Sequence, residues 1–407
     1  MTTKLTKETE TPQPTRRRGL RSIPAVVYVL GAASLFTDIA SEMIMPLRLI
    51  FLVQVLATPL ALAALIEGLA ESATSLLKIL AGRMADRAPS RRGLVSWGYS
   101  VSAAAKPLLA LVPTWAPALG LILVDRAGKA LRGAPRDAMI ADAVPIGKRG
   151  RAFGIHRSAD TLGAAIGPLL ALAILNATSG DLRAVFGWTL VPGALAVAVA
   201  LLFLRDHRRR RAPSPTIAVP AVPVVTADTP ATKSGFGARF WLFTALAVVF
   251  ALGNSSDAFL FLRTEGLESS LIAVPLVYFG FNIVYALLAT PLGALSDRWG
   301  RLPVLALGYA AFTLVYLGWT HATTTWQVWA LFLLYGAYYA ATEGVARAFV
   351  ADLVPMVRRG TALGWFNGLT GAAALPANLA GAWLGAISFG LLLAWWPWLR
   401  RSPRPWP

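Results

Sequence analysis

The stretch ADAVPIGKRGRAFG, Ala141 to Gly154, recurs as ADLVPMVRRGTALG, Ala351 to Gly364, at a constant offset of 210. The shared residues are Ala141, Asp142, Val144, Pro145, Arg149, Gly150, Ala152 and Gly154. Their register holds through a proline, an arginine and two glycines, which chance does not maintain. A second set agrees, since Gly82, Asp86 and Arg87 match Gly293, Asp297 and Arg298 at an offset of 211. The chain is a duplicated unit.

Composition identifies the kind of unit. Of 407 residues 56% are hydrophobic and 14% charged, against about a quarter charged in soluble domains. The apolar residues gather into runs near 24–52, 58–82, 94–112, 116–135, 151–175 and 184–204, then 240–262, 271–295, 302–320, 326–350 and 361–384. Most approach or exceed the roughly 20 residues that cross a hydrocarbon core. A stretch at 387–399 completes the count at twelve. At 1.5 Å per residue it reaches about 20 Å of a core about 30 Å thick, so the last helix is expected to be short or incomplete. The expected fold is all-α and membrane-embedded.

The chain holds 38 Lys+Arg against 20 Asp+Glu, a net charge of +18. The positive charges cluster between apolar runs, as orientation in a bilayer requires, and form no nucleic-acid groove. Most lie in the segments of one face, with Arg183 and Arg263 in the loops of the other, so the amino terminus is expected on the cytoplasmic side. The expected organisation is a polar tail at 1–23, a six-helix bundle at 24–204, a Pro/Ala/Val/Thr-rich cytoplasmic linker at 205–239, a second bundle at 240–400 and a tail at 401–407. With no cysteine in the chain, disulfides, thiolate metal sites and cysteine nucleophiles are excluded.

GALSDRWGR, Gly293 to Arg301, and GRMADRAPSRRG, Gly82 to Gly93, resemble the loop signature of the major facilitator superfamily. The first copy carries an extra residue and a Pro–Ser where glycine is usual. The resemblance covers about 24–384 and, with SLFTDIASEMIMPL, DRAGKALRGAPRDAMIAD and GIHRSADTLGAAIGP, looks like a prokaryotic branch of unassigned substrate. It implies two six-helix bundles around a central cavity, rocking-type alternating access, and a gating role for Gly82, Asp86, Arg87, Gly293, Asp297 and Arg298.

Ionisable groups within spans are costly, so those present face a cavity or a partner. Asp38 and Glu42 lie four apart on one face of the first span, and Glu67 and Glu71 repeat this in the second. Like charges one turn apart do not both ionise easily, which suits proton loading and release. Structural ion pairing is the competing reading. Asp125, Lys129, Arg132 and Arg136 form a stripe on the fourth span with Arg126 beside it, and Arg126 resembles the superfamily arginine associated with proton transfer. His156, Arg157 and Asp160 cluster in the fifth span, where either of the first two is expected to reach Asp160. Lys106 is expected to pair with a second-span acid. The second half is sparser within its spans, with Asp257 in the seventh and Glu343 and Arg347 spaced as an intrahelical pair in the tenth. Asn254, Tyr278, Asn282 and Tyr285 are expected to line the cavity, Tyr335, Tyr338 and Tyr339 being further aromatic candidates.

Three histidines and no phosphate-binding loop leave no metal centre, no cofactor and no ATP hydrolysis to expect. An enzyme is disfavoured for want of a nucleophile–base pair. The expected function is secondary transport of a small molecule in the inner membrane, coupled to protons by antiport and directed to efflux, by a monomer. The proton-coupling candidates are Asp38, Glu42, Glu67, Glu71, Asp125, His156 and Asp160. Arg126, Lys129, Lys106 and Arg157 are the cationic cavity candidates. A transport-derived receptor or scaffold and a lipid-moving protein are the alternatives.

Overall fold

The computed structural model describes residues 23–205, 236–253 and 273–373. Among the described residues eleven main helices follow in order: α1 (Ala25–Ile44), α2 (Leu60–Arg87), α3 (Arg91–Leu108), α4 (Trp115–Ala143), α5 (Arg149–Ala177), α6 (Leu182–Phe203), α7 (Ala238–Gly253), α8 (Ala273–Trp299), α9 (Arg301–His321), α10 (Thr325–Asp352) and α11 (Arg359–Ala372). The linker and the expected twelfth span lie outside the described residues, as do Asn254 and Asp257.

The ends differ from the hydrophobic runs. The first run continues to 52, but α1 stops at Ile44, just before Pro46, and the chain passes through a short turn at Arg48–Ile50 and a π-turn at Phe51–Val55. A proline cannot supply the next amide of the ladder, so the apolar stretch breaks in two. Conversely α2 and α4 run on through charged residues to Arg87 and Ala143. Hydropathy underestimates a helix whose charges find partners.

Among the described residues five segments are long and apolar enough to cross a membrane on composition alone: Ala25–Ile44, Ile146–Ala177, Leu182–Phe203, Leu276–Trp299 and Arg301–Trp319. The charge-bearing α2, α4 and α10 fall outside that set. Their ionisable groups meet other helices, which is how a span tolerates them.

The duplicated stretch forms the same corner twice. Pro145 and Pro355 each end the preceding helix, and their carbonyls accept the amides of Lys148 at 2.9 Å and Arg358 at 3.0 Å. The next residue opens α5 or α11, and its Nε reaches back 3.2 Å to the carbonyl of Ala141 or Ala351. In the first half α1 packs on α5 and α6, and α4 on α2 and α3; in the second, α10 packs on α8 and α9. An aromatic core fills the second half, including Phe250, Phe281, Phe312, Tyr335 and Tyr338. The halves meet where α2 packs on α11 and α5 on α8, with α10 also against α5. Along α5, Gly163 and Gly167 allow α1 to approach closely, while Gly150 and Gly154 do the same for α8.

Candidate functional site

Two tiers of charge join the halves. The outer tier sits at the ends bearing the repeated motifs. Asp86 on α2 accepts the amides of Gly360 at 3.0 Å and Thr361 at 2.6 Å, at the start of α11. Asp297 on α8 accepts those of Gly150 at 2.9 Å and Arg151 at 2.8 Å, at the start of α5. Each carboxylate thus satisfies the free amides and positive dipole of a helix start in the opposite half. Gly82 and Gly293 permit the approach, since a Cβ on either would run into the backbone carbonyl of Gly360 or Gly150.

Four arginines complete this latch. Arg91 bridges Asp86 at 3.0 Å and Asp142 at 2.5 Å, and Arg301 bridges Asp297 at 2.6 Å and Asp352 at 2.9 Å. Across the halves Arg149 reaches Asp352 at 2.6 Å, and Arg359 pairs with Asp142. Arg87 and Arg298, the motif arginines expected to gate, are exposed at the helix ends. The arginines that engage the motif aspartates are Arg91 and Arg301. The extra residue of the first copy is accommodated, because Arg91 reaches Asp86 from five positions away as Arg301 reaches Asp297 from four. Asp142, Arg149, Asp352 and Arg359 were visible in the repeat itself, as charges retained through duplication.

The inner tier gathers many of the residues expected from the sequence. Asp38 on α1 packs against α5 at Gly163 and lies within electrostatic reach of Asp160 on that helix. Lys129 and Arg132 of α4 act on Asp38, and Lys129 and Arg126 act on Glu42. Arg157 lies 2.6 Å from Asp160 and 2.5 Å from Glu343 on α10. Arg347 holds Glu343 at 2.9 Å and reaches Asp137 on α4 at 3.4 Å. The intrahelical pair Glu343–Arg347 is therefore present and also extends across the halves.

His156 bonds Ser34 at 3.0 Å instead of reaching Asp160 in a direct hydrogen bond. Ser34 also meets Tyr99 and Arg136, each at 3.0 Å. Arg132 is buried with its guanidinium 4.9 Å from the centre of the Tyr99 ring. Tyr285 is buried within electrostatic reach of Glu343 and Arg157. Asn282 is turned to the Tyr278 carbonyl at 2.9 Å, and Tyr335 and Tyr338 are core residues, not cavity lining.

Two expected pairings are corrected. Lys106, fully buried on α3, pairs with Asp125 of α4 at 2.8 Å and not with a second-span acid. Ser102 completes the group, donating to Asp125 at 2.5 Å. Glu67 is held by Nε and Nη2 of Arg48, which stands after the break in the first run. Glu71 is helical, and its side chain lies outside the described residues. Among the described residues no cluster of three or more His, Asp or Glu is arranged to hold a metal ion. Asp137 was missed because it sits one position off the stripe of α4, beside Arg136; Arg48 was missed because the apolar run hides the helix end.

Residues 30–280 and 264–399 match the Major Facilitator Superfamily. An uncharacterized MFS-type transporter of Methanocaldococcus jannaschii is 33% identical over 374 residues, 90% of each chain. A class C tetracycline resistance protein of Escherichia coli is 33% identical over 108 residues, 26% of this chain and 27% of that one. The crystal structure of the human organic anion transporter MFSD10 has a TM-score of 0.69 at 17% identity, covering 92% of this chain and 99% of that one, a likeness of fold. With duplicated helix corners, a motif latch repeated in both halves and matches along nearly its full length, the chain belongs to the major facilitator superfamily of membrane transporters.

Proposed function

We propose that this transporter is proton-coupled and exchanges protons for a small molecule by alternating access, in the direction of export. The observation that carries the reading is the placing of two carboxyl groups side by side, Asp38 of α1 against α5 at Gly163 and Asp160 one turn before that glycine. Like charges this close do not both ionise easily, so the pair is suited to hold one proton. Asp160 accepts from Arg157 at 2.6 Å and has Arg136 at 3.9 Å, so the proton belongs on Asp38. A substrate that takes Asp38 or Glu42 competes with that proton, which is the requirement for exchange. The partial similarity to tetracycline resistance proteins supports an organic cargo and export.

The excess of basic residues at the latch end supports placing that end on the cytoplasmic side of the inner membrane. With the latch engaged, the arrangement then corresponds to closure toward the cytoplasm. Bundles at 24–204 and 240–400, joined by 205–239, are the moving bodies of this reading, working as a monomer.

The test is reconstitution into vesicles with a pH-sensitive dye inside. A thermal-shift screen of metabolites, anions and lipophilic cations at two pH values first supplies the cargo, a bound ligand raising stability by about 2.7 kcal/mol at a hundredfold excess over its dissociation constant. Substrate movement should drive proton movement of opposite direction. Substrate flux that ignores an imposed proton gradient would sink the proposal.

A further inference from the structure

Within the inner tier, three helices contribute a closed ring of six alternating charges. Asp160 holds Arg157 at 2.6 Å, Arg157 reaches Glu343 at 2.5 Å, and Glu343 holds Arg347 at 2.9 Å. Arg347 returns to Asp137 at 3.4 Å, Asp137 meets Arg136 at 3.1 Å, and Arg136 closes on Asp160 at 3.9 Å. Asn367 of α11 braces it, donating to Asp137 at 3.5 Å and accepting from Arg347 at 3.4 Å. Five members have side chains no more than 15% exposed, and Glu343 is 31% exposed. Within α5, Arg157 and Asp160 lie 8 and 11 residues beyond Arg149, on the order of 12 to 16 Å deeper than the latch.

The connectivity decides what the ring can do. Four of its contacts lie within one half, and two cross: Arg157–Glu343 and Arg347–Asp137. Parting at those two leaves Arg136, Asp137, Arg157 and Asp160 on one side and Glu343 and Arg347 on the other. Each side keeps equal numbers of cations and anions, already paired. Stranding one member of a buried pair costs about 3–5 kcal/mol, and this ring avoids that cost on opening.

The geometry points to a charge-balanced seal between the halves, a second closure behind the latch, which parts at Arg157–Glu343 and Arg347–Asp137 whenever the carrier opens toward the latch end. The seal requires only that the halves move apart; its tie to the proton rests on the coupling proposed above. With the proton on Asp38, Asp160 stays ionised and both sides remain balanced. A proton moved onto Asp160 removes the partner of Arg157 within its own half, so Arg157 is left to Glu343 and the seal holds. The groups facing this carboxyl pair are Glu42 from α1, Lys129, Arg132 and Arg136 from α4, His156 and Arg157 from α5, and, across the halves, Tyr285 from α8 and Glu343 from α10.

The absence of cysteine allows spin labels to be placed at will. Gly147→Cys and Val357→Cys occupy exposed, equivalent corner positions in the two halves, and a side chain at Gly147 meets open space. Electron–electron distances between them report separation at the latch end. Glu343→Arg with Arg347→Glu keeps the pair within α10 but sets like charge against like at both crossing contacts. The population at long distance should rise about tenfold, the change that 1.4 kcal/mol brings to an equilibrium. An unchanged short distance in the folded double variant overturns the seal. Should that variant misfold, Glu343→Gln, which removes one crossing contact and keeps shape, should move the distribution the same way, and no movement overturns it equally. Proton flux in Asp38→Asn is read separately. A shifted distance with intact proton flux leaves the seal standing and removes the coupling; an unshifted distance with lost proton flux does the reverse.

Discussion

Asp86 accepts the backbone amide of Gly360 at 3.0 Å, so a carboxylate ending α2 in one half caps the start of α11 in the other. Asp297 repeats the relationship with Gly150 at 2.9 Å. Hydrogen bonds to a charged group contribute about 1.5–3 kcal/mol. Asp86→Asn and Asp297→Asn should therefore each raise the population open at the latch end by about tenfold or more, leaving ligand binding in place. Label distances across the two corners and ligand-induced thermal shifts check both halves of that statement. Loss of binding itself would contradict a gating role.

Gly82 and Gly150 make the approach possible, and neither tolerates a side chain while the latch is closed. Valine at either position should stop transport and hold the latch end apart with the helices intact. Gly147→Ala, where a Cβ meets open space, is the control and should transport normally. Transport rates beside circular dichroism separate the two cases.

Asp38→Asn retains a donor toward Asp160 but has no proton to release. Flux driven by a pH gradient should be lost, while exchange of labelled for unlabelled substrate at equal pH persists. Equal loss of both would mean that Asp38 serves binding or folding and not coupling.

Lys106 and Asp125 form a buried pair at 2.8 Å. Lys106→Met strands the carboxylate and should destabilise by about 3–5 kcal/mol. Adding Asp125→Asn, which keeps the bond with Ser102, should recover most of the loss. Melting of the purified variants in detergent reads the difference, and an additive double variant would show that the two side chains are not coupled.

The apolar runs make the order of the described helices legible, and the repeat makes the latch positions legible, because duplication retained the same aspartates and glycines at both places. Contacts within one helix are equally legible: Arg157–Asp160 and Glu343–Arg347 follow from spacings of three and four. Contacts between helices are not. Lys106 meets Asp125 only because α3 and α4 pack side by side in one particular register, which no spacing along the chain encodes. Arg48 escapes notice for a local reason, since Pro46 ends a helix that hydropathy alone carries on. The paired-acid pattern of α2 likewise changes meaning once Arg48 stands against Glu67.

The pairing of Lys106 with Asp125 also bears on how the protein is made. α4 carries too many charged groups to partition into lipid by itself, each costing about 2.5–3.5 kcal/mol at the centre of a span on insertion scales. Its neighbour α3 arrives first from the ribosome and brings the matching cation. The two are suited to leave the translocon as one hairpin, each concealing the other's charge from lipid. The order in which the helices are synthesised is then part of what lets so polar a segment enter the membrane.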